Sequence, residues 1–426
     1  GFGRTGTVDW QTTPKTATFT AVSGEGYFAN TSGGAFNMNL PAGAAGAIVS
    51  VADYSATWQT NNLTVVPNGS EKIGGTSANV ALSTRGQSVT FIYVDSTQGW
   101  LNTMDSTSNV RASSHVAATG GTESTCGDFK IHTFTGPGTL CVTAAGSPSG
   151  STTFEYIVVA GGGGGGTENN SSTSAGGAGA GGFRFASPSL SPATYPGKPL
   201  AAPAGIAASV GAVPIVVGAG AAAPSSCSTA NSGSVSTFSS ITSAGGGAGG
   251  IGASPSPGGL RSGTTGGSGG GGVHANAGSA GNTPSVSPAQ GTAGGPSGPV
   301  YLAGGGGGAI NCGAAGTPSA AGNGGDGAGI PTAFGSNGVP CGSYRYYAGG
   351  GGGGGVVSRP QSGPAGSGGK GGGAAGGAGN SCAPADATTN SGGGGGGAGA
   401  RYPSGGRLVG SNGGSGIVII RYKFQN

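Results

Sequence analysis

The sequence predicts a mainly β and non-regular protein, essentially without α-helix. An N-terminal antiparallel β-domain comes first, then a small sheet, then a sandwich of polyglycine II helices. Three observations carry this reading. Gly supplies 104 of 426 residues, far above an average usage of roughly 7%. Its distribution is uneven, with 21 in the first 150 residues and 83 in the remaining 276. Finally, β-branched and aromatic runs stand on both sides of the Gly-rich segment, and no window within it repeats apolar residues at i, i+3, i+4, i+7. The expected divisions are 1–112, an N-terminal β-domain for assembly or attachment; 113–160, β-strands that join the domains and pair with a C-terminal strand at 416–424; and 161–415, the Gly-rich sandwich with variable loops.

The N-terminal third has the makings of a sheet. "TATFTAV", "GAIVSVADYSATW", "NLTVVP" and "SVTFIYVD" are separated by the turn clusters "NTSGG", "PNGSEKIGG" and "STQGW". In the last run Val89, Phe91, Tyr93 and Asp95 alternate with Thr90, Ile92 and Val94. Both faces are therefore mostly apolar, and one is expected to meet another sheet or subunit. Trp10, Trp58 and Trp100, all three Trp of the chain, lie here and supply a core.

A second β-rich group, "DFKIHTF", "GTLCVTAAG" and "FEYIVVA", leads into the glycines at Gly161. The last strand-like run, "GIVIIRYKF", has no other apolar segment near it. Its obvious partner is "EYIVVA", so both ends of the Gly-rich segment are expected to meet in one small sheet.

Between Ile157 and Gly416 there are 11 charged residues. Gly costs about 1 kcal/mol relative to Ala at each helix position, so the runs at 161–166, 176–182, 245–250, 266–272, 304–308, 349–355, 366–377 and 392–399 are strongly anti-helical. A flexible coil is one outcome of such composition. The other is polyproline II geometry, which makes no internal hydrogen bonds, so its amides must bond sideways to neighbouring chains. Interruptions such as "FRF", "VPIVVGAG" and "YRYYAGGGGGGG" favour an ordered bundle over a linker.

Several function classes lose support. The formal net charge is +4 with no run of Lys or Arg, so nucleic acid is not an expected partner. No apolar stretch approaches the 18 or so residues of a membrane span, and a soluble chain without membrane insertion is expected. Gly1 in place of Met points to a processed chain or a fragment. Cys126, Cys141, Cys227, Cys312, Cys341 and Cys382 show no CxxC spacing, and no metal site is expected. Cys126 and Cys141 flank what reads as a hairpin, a position from which they could pair. "GGGGGGTENN" lacks the Lys of a phosphate-binding loop, and GxGxxG recurs here by composition alone, so no cofactor is expected. His132 falls in a strand, where a structural role is the commoner one, and His115 and Asp128 orient no nucleophile. Glu168, Asp326 and Asp386 are far apart in sequence, a poor start for paired-carboxylate hydrolysis. The chain is read as a non-enzyme.

The ordered series "DFKIHTFTGPGTLCVT", "EYIVVAGGGGGG", "GGAGAGGFRF", "VPIVVGAG", "VSTFSSITSAGGGAGG", several "GGGGG" tracts and "GGSGIVIIRYK" resembles the Gly-rich tip domains of bacteriophage tail fibres and adhesins, over about residues 120–424. The N-terminal part looks like β-domains of marine and cyanobacterial phage fibre proteins. The resemblance implies a sandwich of polyglycine II helices whose outer loops recognise a bacterial surface receptor, either protein or polysaccharide. It also implies other tail-fibre or virion proteins as partners, a homotrimer or a monomeric tip on a trimeric shaft, and an extracellular location on the virion. A structural fibre or capsid decoration protein is the alternative.

Loops are where side chains able to recognise a receptor are confined. The candidates are Tyr344, Arg345, Tyr346, Tyr347, Arg401, Tyr402, Arg359, Asn311 and His274, with Tyr301 beside them. Tyr and Arg bring contact area and a donor fork to an interface. If each tract reverses direction, counting back from the last strand puts 401–412, 356–365 and 309–321 at the outer end. The same count puts 330–348 at the inner end, against the "YRYY" choice.

Overall fold

The computed structural model describes residues 8–105, 114–147, 150–168, 173–191, 194–225, 231–252, 260–298, 301–357, 362–379, 384–401 and 407–426. Strands and irregular backbone make up the fold; its helical content among the described residues is three 3-10 turns, Lys198–Leu200, Leu260–Ser262 and Thr332–Phe334. The chain divides into two compact units. One comprises Gly1–Val116, Ala145–Thr152 and Phe424–Asn426; the other comprises Ala117–Ala144 and Thr153–Lys423.

The first unit is a pair of sheets over a side-chain core. One sheet orders its strands Asp9–Lys15, Glu25–Ala29, Ile48–Asp53, Ser88–Asp95 and Gly99–Asp105; the other orders Phe19–Thr20, Phe36–Asn39, Leu63–Val66 and Val80–Leu82. Trp58, Trp100, Met38, Leu63, Val65 and Phe91 are fully buried between them. The expected antiparallel arrangement is corrected, because both sheets are mixed: Asp9–Lys15, Glu25–Ala29 and Ile48–Asp53 pair in parallel, as do Phe19–Thr20, Phe36–Asn39 and Leu63–Val66. The first six strands alternate between the two sheets, so each reaches its next sheet-mate by two passages across the core and runs in the same direction. A hairpin forms where turn chemistry permits one. At 95–99 the Asp95 carboxylate accepts the Thr97 and Gln98 amides at 2.8 and 2.7 Å, and Gly99 adopts φ +70°. "SVTFIYVD" buries Val89, Thr90 and Phe91 and leaves Val94 exposed.

In the second unit, Thr153–Val159 pairs antiparallel with Ile417–Lys423, Ile157 opposite Ile419. Phe129–Phe134 flanks the C-terminal strand on its other side, and Phe183–Ala186 flanks Thr153–Val159. Both faces of this seven-stranded sheet are covered, which is why "EYIVV" and "IVII" are continuously apolar. One face packs Ile157, Val159, Ile417 and Ile419 against Phe183, Phe185, Phe334 and Tyr347. On that face Glu155 and Arg421 form a buried ion pair. Ser187 Oγ and the Ser189 amide donate to the same carboxylate at 2.9 and 2.8 Å, and the guanidinium lies 3.5 Å over the Phe129 ring.

From this sheet the glycine tracts run outward and return. In the tract at 161–166 the amides of Gly161 and Gly164 donate to Ser234 and Asn231, those of Gly162 and Gly165 to Gly414 and Ser411, and those of Gly163 and Gly166 to Gly179 and Gly176, all at 2.9–3.0 Å. Successive amides thus address three neighbours, and every third amide addresses the same one. That pattern requires three residues per turn, the geometry of polyproline II. The tract at 175–182 is fully enclosed. Its amides donate to 392–398, 244–250 and 304–307, and its carbonyls accept from 160–166, 268–271 and 351–354. Neighbours run both parallel and antiparallel, because lateral bonds in this lattice do not depend on chain sense.

Glycine is needed here for close approach. A Cβ on Gly177 would lie 2.1 Å from the Gly351 carbonyl oxygen, and one on Gly179 2.1 Å from that of Ser268. Where the lattice ends, short side chains replace the missing neighbour's carbonyl. Asn323 accepts the Ser367 amide at 2.8 Å, Asp326 the Lys370 amide at 3.0 Å, and Asp386 the Asn412 amide at 2.8 Å. Two of the three acidic residues of the segment are accounted for in this way.

Candidate recognition site

The register of the lateral bonds sorts the described turns of the second unit to two ends. The near end carries the sheet, the turns at 309–312 and 370–372, and the hairpin Val339–Cys341/Tyr344–Tyr347 with its partner strand Ala328–Pro331. At the far end, described tracts stop or resume at 167–168, 173–174, 252, 260–262, 298 and 301–302, and turn at 273–276 and 317–320.

The predicted residues separate between these ends. Tyr347 is 1% exposed and donates to the Asn337 carbonyl at 2.8 Å, with its ring 6.3 Å from Phe183. Burial pushes its hydroxyl well above the usual tyrosine range. Tyr344, Arg345 and Tyr346 are half-buried, and the Tyr346 ring covers Gly329, where a Cβ would lie 2.7 Å away. The "YRYY" strand therefore covers the near-end core, at the end to which the count of tract directions assigns 330–348. Asn311 also lies at the near end, its amide donating to Asp326 at 3.2 Å. The expected outer loop 309–321 is in fact one near-end turn, the short tract at 313–316 and a far-end turn at 317–320.

His274 and Tyr301 are at the far end. Backbone φ is +52° at His274 and +33° at Tyr301, so both residues sit in left-handed backbone at tight turns. His274 Nε2 is 2.9 Å from Thr173 Oγ1. The Ser174 amide and hydroxyl both donate to the Tyr301 carbonyl, at 3.1 and 2.8 Å. Arg261 joins the group through its carbonyl, which accepts the Val273 amide at 2.8 Å. Burial lowers the His274 pKa, and the Arg261 charge lowers it further. On the other side of Thr173, Glu168 bridges to Gly252 and to Leu408, placing Arg407 in the same layer. Arg401 pairs through its backbone with Val357. Its side chain, and Arg359 and Tyr402 entirely, lie outside the described residues.

The arrangement leaves little for the chemistries weighed from sequence. All amides of 161–166 are bonded laterally, so no row of them faces a phosphate. His132 is fully buried, with Nδ1 2.7 Å from the Gly120 carbonyl and Nε2 3.2 Å from the Tyr422 hydroxyl. Cys126 and Cys141 sit in different sheets as free thiols, so the hairpin pairing is corrected. Among the described residues, no three His, Cys, Asp or Glu side chains gather as metal ligands, and no helix is long and apolar enough to cross a membrane.

The model of one family, described as a glycine-rich domain, matches residues 135–423. The chain belongs to that family. The glycine-rich domain so defined begins in the strands before the first tract and ends with the last residue of the C-terminal strand, Lys423. Its limits therefore enclose the lattice and the central strands of the closing sheet, Thr153–Val159 and Ile417–Lys423, but not Phe129–Phe134 at its side. A comparison with curated proteins found no match.

Thr173, Ser174, Arg261 and Arg407 were not singled out by residue type. Their signal is positional: each falls where a tract reverses at the far end, which a register count would reveal and composition would not.

Proposed function

We propose that this chain is a receptor-binding adhesin at the tip of a bacteriophage tail fibre, recognising a bacterial surface receptor through the far-end turns of its glycine-rich domain. The observation that carries the reading is the division of labour between the ends. Most large apolar and aromatic side chains of the unit are consumed in the near-end core, a small cluster around Leu302 and Val356 apart, and the lattice admits almost no side chains. Arg261, His274, Tyr301 and Arg407 stand on rigid stems at the other end. Rigid elements that present variable turns suit recognition, because little ordering cost is left for binding. The resemblance of the tract order to phage tip domains supports the same reading, with the virion as its location.

Adsorption competition tests it. Purified chain at saturating concentration is expected to block attachment of the phage that carries it. Undiminished adsorption would remove the receptor-binding role and favour a structural part of the virion. Substituting the far-end turns is expected to change host range, whereas substituting near-end turns is not.

A further inference from the structure

The far-end layer has an unbalanced charge. Its one carboxylate among the described residues, Glu168, is 1% exposed and accepts the Leu408 amide at 3.4 Å. Asp386 lies on the flank, bonded to Asn412 through both carboxylate oxygens. Arg407 is exposed and Arg261 half-buried, and neither has a carboxylate within ion-pair distance among the described residues. By contrast, Lys130 and Lys370, in the same unit, are paired with Glu123 and Asp326. Arg261 and Arg407, the cations of that layer whose side chains are described, carry a planar fork that matches carboxylate and phosphate groups with two parallel hydrogen bonds.

We infer that the far-end layer formed by Arg261, His274, Tyr301 and Arg407 binds an acidic polysaccharide, with the guanidinium groups taking its carboxylate or phosphate groups and the Tyr301 ring taking a sugar face. This rests on the adhesin reading above and names its ligand class. Tyr301 is 37% exposed, and its carbonyl takes two hydrogen bonds from Ser174, so the backbone that carries this aromatic side chain is fixed in the same layer. The Arg261 charge that lowers the His274 pKa further has the sign such a ligand needs.

The test uses the full chain on immobilised polygalacturonate, phosphomannan and neutral dextran. Wild type is expected to bind at least one of the two acidic polymers and not dextran; which one separates a carboxylate from a phosphate ligand. Arg261→Gln with Arg407→Gln is expected to weaken that binding about tenfold, two charge-assisted contacts being lost. Lys198→Gln with Lys370→Gln removes the same charge from the near end and is expected to leave binding unchanged, which excludes a general charge effect. No retention on either acidic polymer, equal retention on dextran, or equal loss in both double variants overturns the inference. Adsorption competition that persists undiminished in the Arg261/Arg407 variant would overturn the acidic ligand while the adhesin reading stands.

Discussion

The two units reach a folded state by opposite means. In the first, Trp58, Trp100, Phe91 and Met38 fill the space between two sheets, and burial of apolar side chains supplies the driving force. In the second, the tracts have almost no side chains to bury. The enclosed tract at 175–182 is held by amides and carbonyls bonded to six neighbouring segments. Gly loses more backbone entropy on folding than any other residue, so this lattice holds only while nearly every lateral bond is made. The comparison teaches that the same β-rich fold class contains a core tolerant of small volume changes and a core that, at positions such as Gly177 and Gly179, is intolerant of even one added carbon.

The largest effect should come from adding a side chain to the enclosed tract. Gly177→Val places Cβ 2.1 Å from the Gly351 oxygen, and backbone cannot move there without breaking bonds to several tracts. A loss above about 4–5 kcal/mol, enough to abolish cooperative folding of the unit, is expected. Ala178→Gly, at the adjacent position, should cost no more than about 1 kcal/mol. Chemical denaturation of both variants checks this, and near-equal midpoints would refute the packed lattice.

Next in size is a cavity in the first unit. Phe91 is fully buried, and Phe91→Ala should cost about 3–5 kcal/mol. Phe91→Leu should recover most of that, because a side-chain core repacks around a similar volume. No conservative substitution has this effect at Gly177, which is the comparison in its sharpest form. A smaller effect is expected at the lattice edge. Asp326→Ala removes the acceptor of the Lys370 amide, an exposed bond, and should cost about 1 kcal/mol.

How much of this was legible in the sequence follows from the same contrast. Gly tracts announce the lattice because only Gly permits the approach, and the two apolar runs that flank them announce the closing sheet. Parallel pairing in the first unit was hidden, since turn residues mark where strands end and not which sheet the next one joins. The proposed recognition site was hidden for a related reason. "YRYY" has the composition of an interface, yet its Tyr347 faces the core, and composition does not report the end at which a turn falls. The run at 366–377 contains a reversal at 370–372, where Gly371 and Gly372 take φ +104° and +93°, while the tract at 313–316 is too short and Ala-rich to be seen as one.

The smallest expected effect is a pH dependence confined to the second unit. His132 is fully buried between the Gly120 carbonyl and Tyr422, whose ring stacks on it at 5.5 Å. Burial lowers its pKa; the Gly120 hydrogen bond and Glu123, 3.8 Å away, oppose this, and Lys130 adds to it. Burial wins because Glu123 is itself substantially exposed, which screens its charge. The folded-state pKa is therefore below the unfolded value, and folding favours the neutral ring. Its contribution is complete above about pH 6.5 and is lost as pH falls from there towards the folded value, where protonation drives unfolding. The unfolding midpoint of the second unit should fall between pH 7 and pH 5, and this part of the slope should vanish in His132→Gln. A midpoint that rises over the same interval would mean that the Glu123 carboxylate, and not burial, governs the ring.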